Sequence, residues 1–281
     1  MISLRRSRLS LILFFLLVTC IANSGLSGEL SNQHWNDYGG WGGTHRNALP
    51  GNAGSSIVTD ITTPDQTSVL QFFYPAGFRD GGEPSLVGGW LGPVTEFYMR
   101  YYFKYSENWQ WHPISDKITY IKTYPSMSVA GGGSETVLIF QNGPSGTLGG
   151  QLSVHITGGN WGGTRVIYGS PEFRPQRNRW YKITYYQKID SPKGSSNGIL
   201  KVWVDDVLYI NRNDVSYLAA SKTDTSFYAF DYAPVWGGVA NITKLHDDYL
   251  WIDGTIISTD PPGGILPENK IPRSPNMLKI E

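Results

Sequence analysis

The run EFYMRYYFKYSENWQWHP, Glu96 to Pro113, begins with residues that separate cleanly by parity. Phe97, Met99, Tyr101, Phe103 and Tyr105 form one set. Glu96, Tyr98, Arg100, Tyr102 and Lys104 form the other. A strand sends successive side chains to opposite faces, so the first set predicts a core face and the second a solvent face. That solvent face carries two cations, a carboxylate and two tyrosines, where Thr, Ser, Lys and Glu are ordinary. Rings between charges suit a surface that holds something flat and polar.

The same alternation recurs with turn residues between the repeats. It predicts strands over Ser68–Tyr74, Glu96–Tyr105, Lys117–Tyr124, Thr136–Gln141, Gln151–Thr157, Trp180–Ile189, Ile199–Val204, Val207–Asn211, Ser226–Asp231 and Tyr249–Ser258. Trp203–Tyr209 (WVDDVLY) reads as a tight hairpin with Asp205 and Asp206 at its tip. No stretch sustains a helical period with caps. About ten strands without helices call for two packed sheets, an all-β antiparallel sandwich of the jelly-roll kind. The predicted core is Phe97, Met99, Tyr101, Phe103, Leu152, Val154, Ile156, Leu200, Val202 and Val204. A Trp-Gly-Gly motif at Trp41, Trp161 and Trp236 reads either as loops packed under rings or as rim platforms for sugars.

Composition narrows the partners. With 23 basic and 23 acidic residues in 281, and no basic run beyond the N-terminus, nucleic acid is excluded. Arg5, Arg6 and Arg8 precede an apolar Leu9–Val18 segment too short to span a bilayer comfortably, the pattern of an export signal over residues 1–24. Cys20, the sole cysteine, stands where a bacterial lipoprotein is acylated, although Thr19 replaces the usual small residue; cleavage near Ser24 is the alternative. Membrane attachment is therefore expected only through a lipid on Cys20, with an extracellular, periplasmic or surface location. The mature chain has no cysteine, so no disulfide supports it. Residues 25–259 read as one domain and 260–281 as a Pro-rich tail.

The segments FYMRYYFKYSENWQW, KITYI, WYKITYYQKIDSPKGSSNGILKVWVDD and YLWIDGTIIS together resemble the concanavalin A-like lectin/glucanase jelly roll. Within it, the nearest branch is that of alginate and glucuronan lyases. The resemblance spans roughly Glu96 to Ser258 and implies a carbohydrate context. Those lyases carry a lysine matching Lys117. On the next strand they carry a Ser and Arg pair, where this chain offers only Gln141, and on the strand after that tyrosines, where it offers Ser153 and His155.

β-Elimination on a uronate needs a neutralised carboxylate, a base for the C5 proton and an acid for the leaving oxygen. His155 falls on the polar face of QLSVHIT and has the titration range of a base. Lys117, Gln141 and Arg100 suit a carboxylate, and Tyr186, Tyr98 or Tyr102 a proton donor, with Lys104 beside them. The expectation is one concave floor shared by Arg100, Lys117, Gln141 and His155, recognising an acidic polysaccharide. Hydrolysis fits less well, since the Glu-x-Asp-x-x-Glu run of laminarinase-type relatives does not occur. No cofactor motif is present. The acidic turns at Asp205, Asp206, Asp214, Asp247 and Asp248 suit turn chemistry or a structural calcium equally. Two readings of function stand: an exported lyase for an acidic glycan, and a non-catalytic carbohydrate-binding or cell-surface module.

Overall fold

The structure, a computed structural model, describes residues 53–65, 68–123, 135–141, 150–159, 163–238 and 240–263, with the backbone of 29–33 and 42–44. The segment read as an export signal (residues 1–24, with Cys20), Trp41, Trp161 and the tail beyond residue 263 lie outside the described residues.

Among the described residues fifteen strands follow in chain order: β1 (Glu29–Gln33), β2 (Gly42–Thr44), β3 (Gly54–Thr59), β4 (Ser68–Tyr74), β5 (Leu86–Val94), β6 (Glu96–Tyr105), β7 (Ser115–Lys122), β8 (Glu135–Gln141), β9 (Gln151–Thr157), β10 (Thr164–Tyr168), β11 (Tyr181–Lys188), β12 (Gly198–Val204), β13 (Val207–Val215), β14 (Phe227–Tyr232) and β15 (Asp248–Ser258). They form two antiparallel sheets. One has the order β13-β12-β11-β6-β15-β4-β3, with β1 also on β15; the other runs β10-β9-β8-β7-β14-β5-β2.

The core lies between the sheets and follows the parity of the opening run. All ten residues expected inside are 2% exposed or less. Rings dominate the layer: Phe103 meets Tyr105, Phe140 and Tyr181 at centroid distances of 5.4–5.6 Å. At roughly 1.5–3 kcal/mol per buried large apolar side chain, a one-residue slip of β6 would forfeit several such contributions together.

Turn chemistry also holds. Asp205 and Asp206 both adopt positive φ, 48° and 66°, as a two-residue I′ hairpin requires. Asp205 accepts the Lys182 N–H and pairs with Arg179, while Asp206 pairs with Lys182. Asp214 binds Arg165 and Arg212, and Asp247 accepts the Ala76 N–H. The acidic turns are thus engaged by the protein itself. Trp236 is fully buried edge-on to His112, which is the packed reading of its Gly-rich loop.

Five strands, β1, β2, β3, β5 and β10, form where no strand was expected from the sequence, and two of them bear on the site. β5 (LVGGWLGPV) carries Gly and Pro, yet Gly88 is required there: a Cβ would come within 2.4 Å of the Phe230 carbonyl on β14. β10 (TRVIY) is a five-residue edge strand on β9.

Candidate functional site

The expected common floor does not form. Arg100, Tyr98, Tyr102 and Lys104 lie on β6, and Tyr186 on β11, in the eight-stranded sheet. Lys117, Gln141 and His155 lie on β7, β8 and β9 of the other sheet. Alternation places both sets outward, but each faces away from the core layer that separates them. Tyr186 donates to Glu96 at 2.9 Å and stacks on Tyr98, so it takes no part in a site with His155. Lys104 is 7% exposed, paired with Asp60 and held between the Trp180 and Trp251 rings at 4.8 and 4.9 Å. It is a structural cation rather than a ligand contact.

The outer face of the seven-stranded sheet does gather a chemically competent set. A bulge in β7 between Lys117 and Tyr120 turns Ile118 and Thr119 inward, which leaves both Lys117 and Tyr120 facing out. Lys117 stands opposite Ile139 of β8, and His155 stands between Val137 of β8 and Val166 of β10. Ser153, one outward position before His155, is small and fully buried. Over it, three longer side chains meet. The Gln141 Oε1 accepts from the Tyr168 hydroxyl at 3.1 Å and lies 3.2 Å from the His155 Nε2.

That contact decides the imidazole's tautomer. An amide oxygen only accepts, so Nε2 carries the proton and Nδ1 presents its lone pair. Nδ1 and the Gln141 Nε2 make no hydrogen bond among the described residues. Burial, and then the Lys117 cation, push the His155 pKa down to about 4, so the ring is neutral at pH 7. Burial lowers the Lys117 pKa as well, while Glu135 and Glu83 oppose that shift. Burial, with Glu135, Asp231 and Glu83, raises the Tyr120 hydroxyl, which keeps its proton. Beside it, burial lifts Asp231 to about 6 against the pull of the Lys122 ammonium paired with it.

Trp90 projects from the same face on β5 and is 59% exposed. It lies four strand steps from His155, about 19 Å at 4.8 Å per step. Tyr168, Tyr120 and Trp90 escaped the sequence reading. For Tyr168 the alternation of Val166 and Tyr168 was the available signal.

A hollow of about 460 Å³ opens elsewhere, between Thr95, Lys188, Asp190, Lys193, Leu218 and Thr225. Asp190 there accepts backbone N–H groups from Gly194, Tyr217 and Leu218, Lys188 pairs with Glu96, and Lys193 donates to the Lys222 carbonyl. Its charges are spent on the fold, and none of His155, Lys117, Gln141 or Tyr168 lines it. Among the described residues no group of three or more His, Cys, Asp or Glu side chains is placed to hold a metal ion. No described helix is long and apolar enough to cross a membrane.

No protein-family model matches the chain, and no curated protein does. Solved structures do. An endo-β-1,4-glucuronan lyase from the fungus Trichoderma reesei superposes with a TM-score of 0.59 at 18% identity, over 83% of this chain and 96% of that one. A PL-14 alginate lyase from Aplysia kurodai gives 0.60 at 13% identity, over 83% and 99%. The cellulose-induced protein Cip1 gives 0.54 at 11% identity, over 82% and 97%. At such identities the likeness is one of fold: the chain has the jelly-roll sandwich of the alginate and glucuronan lyases.

Proposed function

We propose that this protein is a polysaccharide lyase that cleaves a uronate-containing glycan by β-elimination on the outer face of the seven-stranded sheet. One observation carries the reading. His155 is kept neutral, with Nδ1 open, beside the Lys117 cation and the Tyr168 hydroxyl. The fold neighbours support it, among them an alginate lyase solved in complex with alginate trisaccharide at a TM-score of 0.58.

The steps balance on this chain's own groups. Lys117 and the Gln141 amide N–H groups take up the charge of the substrate carboxylate, which acidifies the C5 proton. His155 Nδ1 removes that proton, the C5–H electrons form the C4=C5 double bond, and the C4–O bond breaks. Tyr168 protonates the departing oxygen, and solvent exchange returns the proton from imidazolium to phenolate. Trp90 offers a ring against which a chain laid across the strands can rest. No further cofactor is required by this scheme.

The binding-module reading draws on a different observation. Among the described residues, the only arginine on the strands of this sheet, Arg165, pairs with Asp214. Incubation of the protein with alginate, glucuronan, pectate and glycosaminoglycans, read by the ultraviolet absorbance of the unsaturated product, separates the two. Product from an acidic polymer supports the lyase; binding without product supports the module.

Export belongs to the same proposal and rests on the charged and apolar N-terminal pattern of residues 1–24. Palmitate label lost in Cys20→Ala would mark a lipoprotein, and an unlabelled mature N-terminus near Gly25 ordinary secretion.

A further inference from the structure

Arg100 stands apart from the other cations on the outer face of the eight-stranded sheet. Lys104 pairs with Asp60, Lys182 with Asp206 and Lys188 with Glu96. Among the described residues no carboxylate lies within 4.0 Å of the Arg100 guanidinium, and its Nε, closed off from solvent, makes no hydrogen bond. The chain nevertheless keeps this side chain half-buried in mid-sheet. Its direct neighbours are Thr184 on β11 and Ile256 on β15, neither of which offers a charge. The closest acid by register is Asp253, opposite Tyr102, and its Oδ2 accepts the Asp65 N–H at 3.2 Å.

Rings border the cation on three sides. Tyr98 and Tyr186 stack on each other at 4.6 Å in the row on one side, and Tyr102 stands in the row on the other. Trp203 lies beyond Thr184 on β12. All four are half-buried, their outer surfaces still open. A guanidinium fork matches a planar carboxylate, and flanking rings match the apolar face of a pyranose.

We propose that this trough is a second binding site for an acidic glycan, centred on Arg100 and separated from the elimination site by the whole core layer. It shares with the lyase reading its ligand class but none of its chemistry. A polymer could thereby be held on one face of the sandwich while a segment is cut on the other.

The test is calorimetric titration of the His155→Ala protein with alginate tetrasaccharide, with a neutral cello-oligosaccharide as control. Two binding phases are expected for the acidic ligand. Adding Arg100→Gln should weaken one phase by about tenfold or more, the loss of a charge-assisted hydrogen-bond pair. Arg100→Lys should recover only part of it, and the unfolding transition should stay in place. Since the readout is binding, absence of lyase product would not touch this result. Identical isotherms with and without Arg100→Gln would overturn the proposal. Equal binding of the neutral ligand, or an Arg100-dependent dimer in light scattering, would overturn it too.

Discussion

Lys244→Met should be among the most damaging single changes in the molecule. Lys244 and Asp248 are both fully buried and 2.8 Å apart. The ammonium lies 3.5 Å from the Trp109 ring centroid and 4.5 Å from that of Trp236, and it donates to the Gln110 carbonyl at 3.0 Å. Asp248 also accepts from Ser106 and the Gln110 N–H, and the His246 Nε2 stands 3.4 Å from it, so removing the lysine leaves a buried carboxylate without its ammonium partner. Breaking such a pair from one side costs about 3–5 kcal/mol. Asp248→Asn should cost less, because burial already lowers the Lys244 pKa to about 8. Asp248 itself raises that pKa, so in Asp248→Asn the lysine sheds its proton more readily still. The pH dependence follows from the same shift. The folded pKa lies below the unfolded value near 10.5, so between about pH 8 and 10 the unfolded chain holds more protons and Lys244 contributes more stability as pH rises. Urea unfolding of wild type and Lys244→Met at pH 7 to 10 should show a gap of about 3 kcal/mol or more at pH 7 that widens toward pH 10. A gap under about 1 kcal/mol that is flat with pH would refute the reasoning.

The remaining expectations concern the site. If His155 is the base, kcat/KM should fall on its acid side only as pH nears 4, because burial and Lys117 hold the imidazole neutral above that. In Lys117→Ala the residual activity should titrate at a higher pH, since one depressing charge is gone; a limb near 6.5 already present in wild type would contradict the assignment. Trp90→Ala should raise KM for long chains by about three- to tenfold, the equivalent of roughly 0.5–1.5 kcal/mol for one aromatic contact, and leave trimers alone. A fall in kcat with KM unchanged would remove Trp90 from the substrate path.

How far the sequence carried these conclusions depends on what alternation encodes. Parity states which side chains turn inward, so the core and the outward direction of Arg100 and His155 were legible. It does not state which sheet a strand joins. β6 and β7 are consecutive in the chain yet enter opposite sheets, and the single floor expected for Arg100 and His155 divides there. Lys104 could not be recognised as structural, because its partners Asp60, Trp180 and Trp251 are distant in sequence and meet it only in the fold. β5 hid Trp90 because its glycines read as a turn, whereas Gly88 serves the close approach of β14. Tyr168 was missed because β10 is short and follows a Gly-rich stretch. The resemblance to the lyases supplied Lys117 and, through its departures, drew attention to Gln141 and His155.

The central claim is that elimination takes place on the face that carries His155. Its most direct test is the ultraviolet absorbance of unsaturated product from the acidic polymer that wild type cleaves, compared with His155→Ala, Lys117→Ala and Tyr168→Phe proteins of unchanged unfolding midpoint. The account predicts product from wild type and a loss of about a hundredfold or more in His155→Ala, with smaller losses in the other two. Wild-type rates in His155→Ala, or no product from any uronate polymer with wild type, would contradict it.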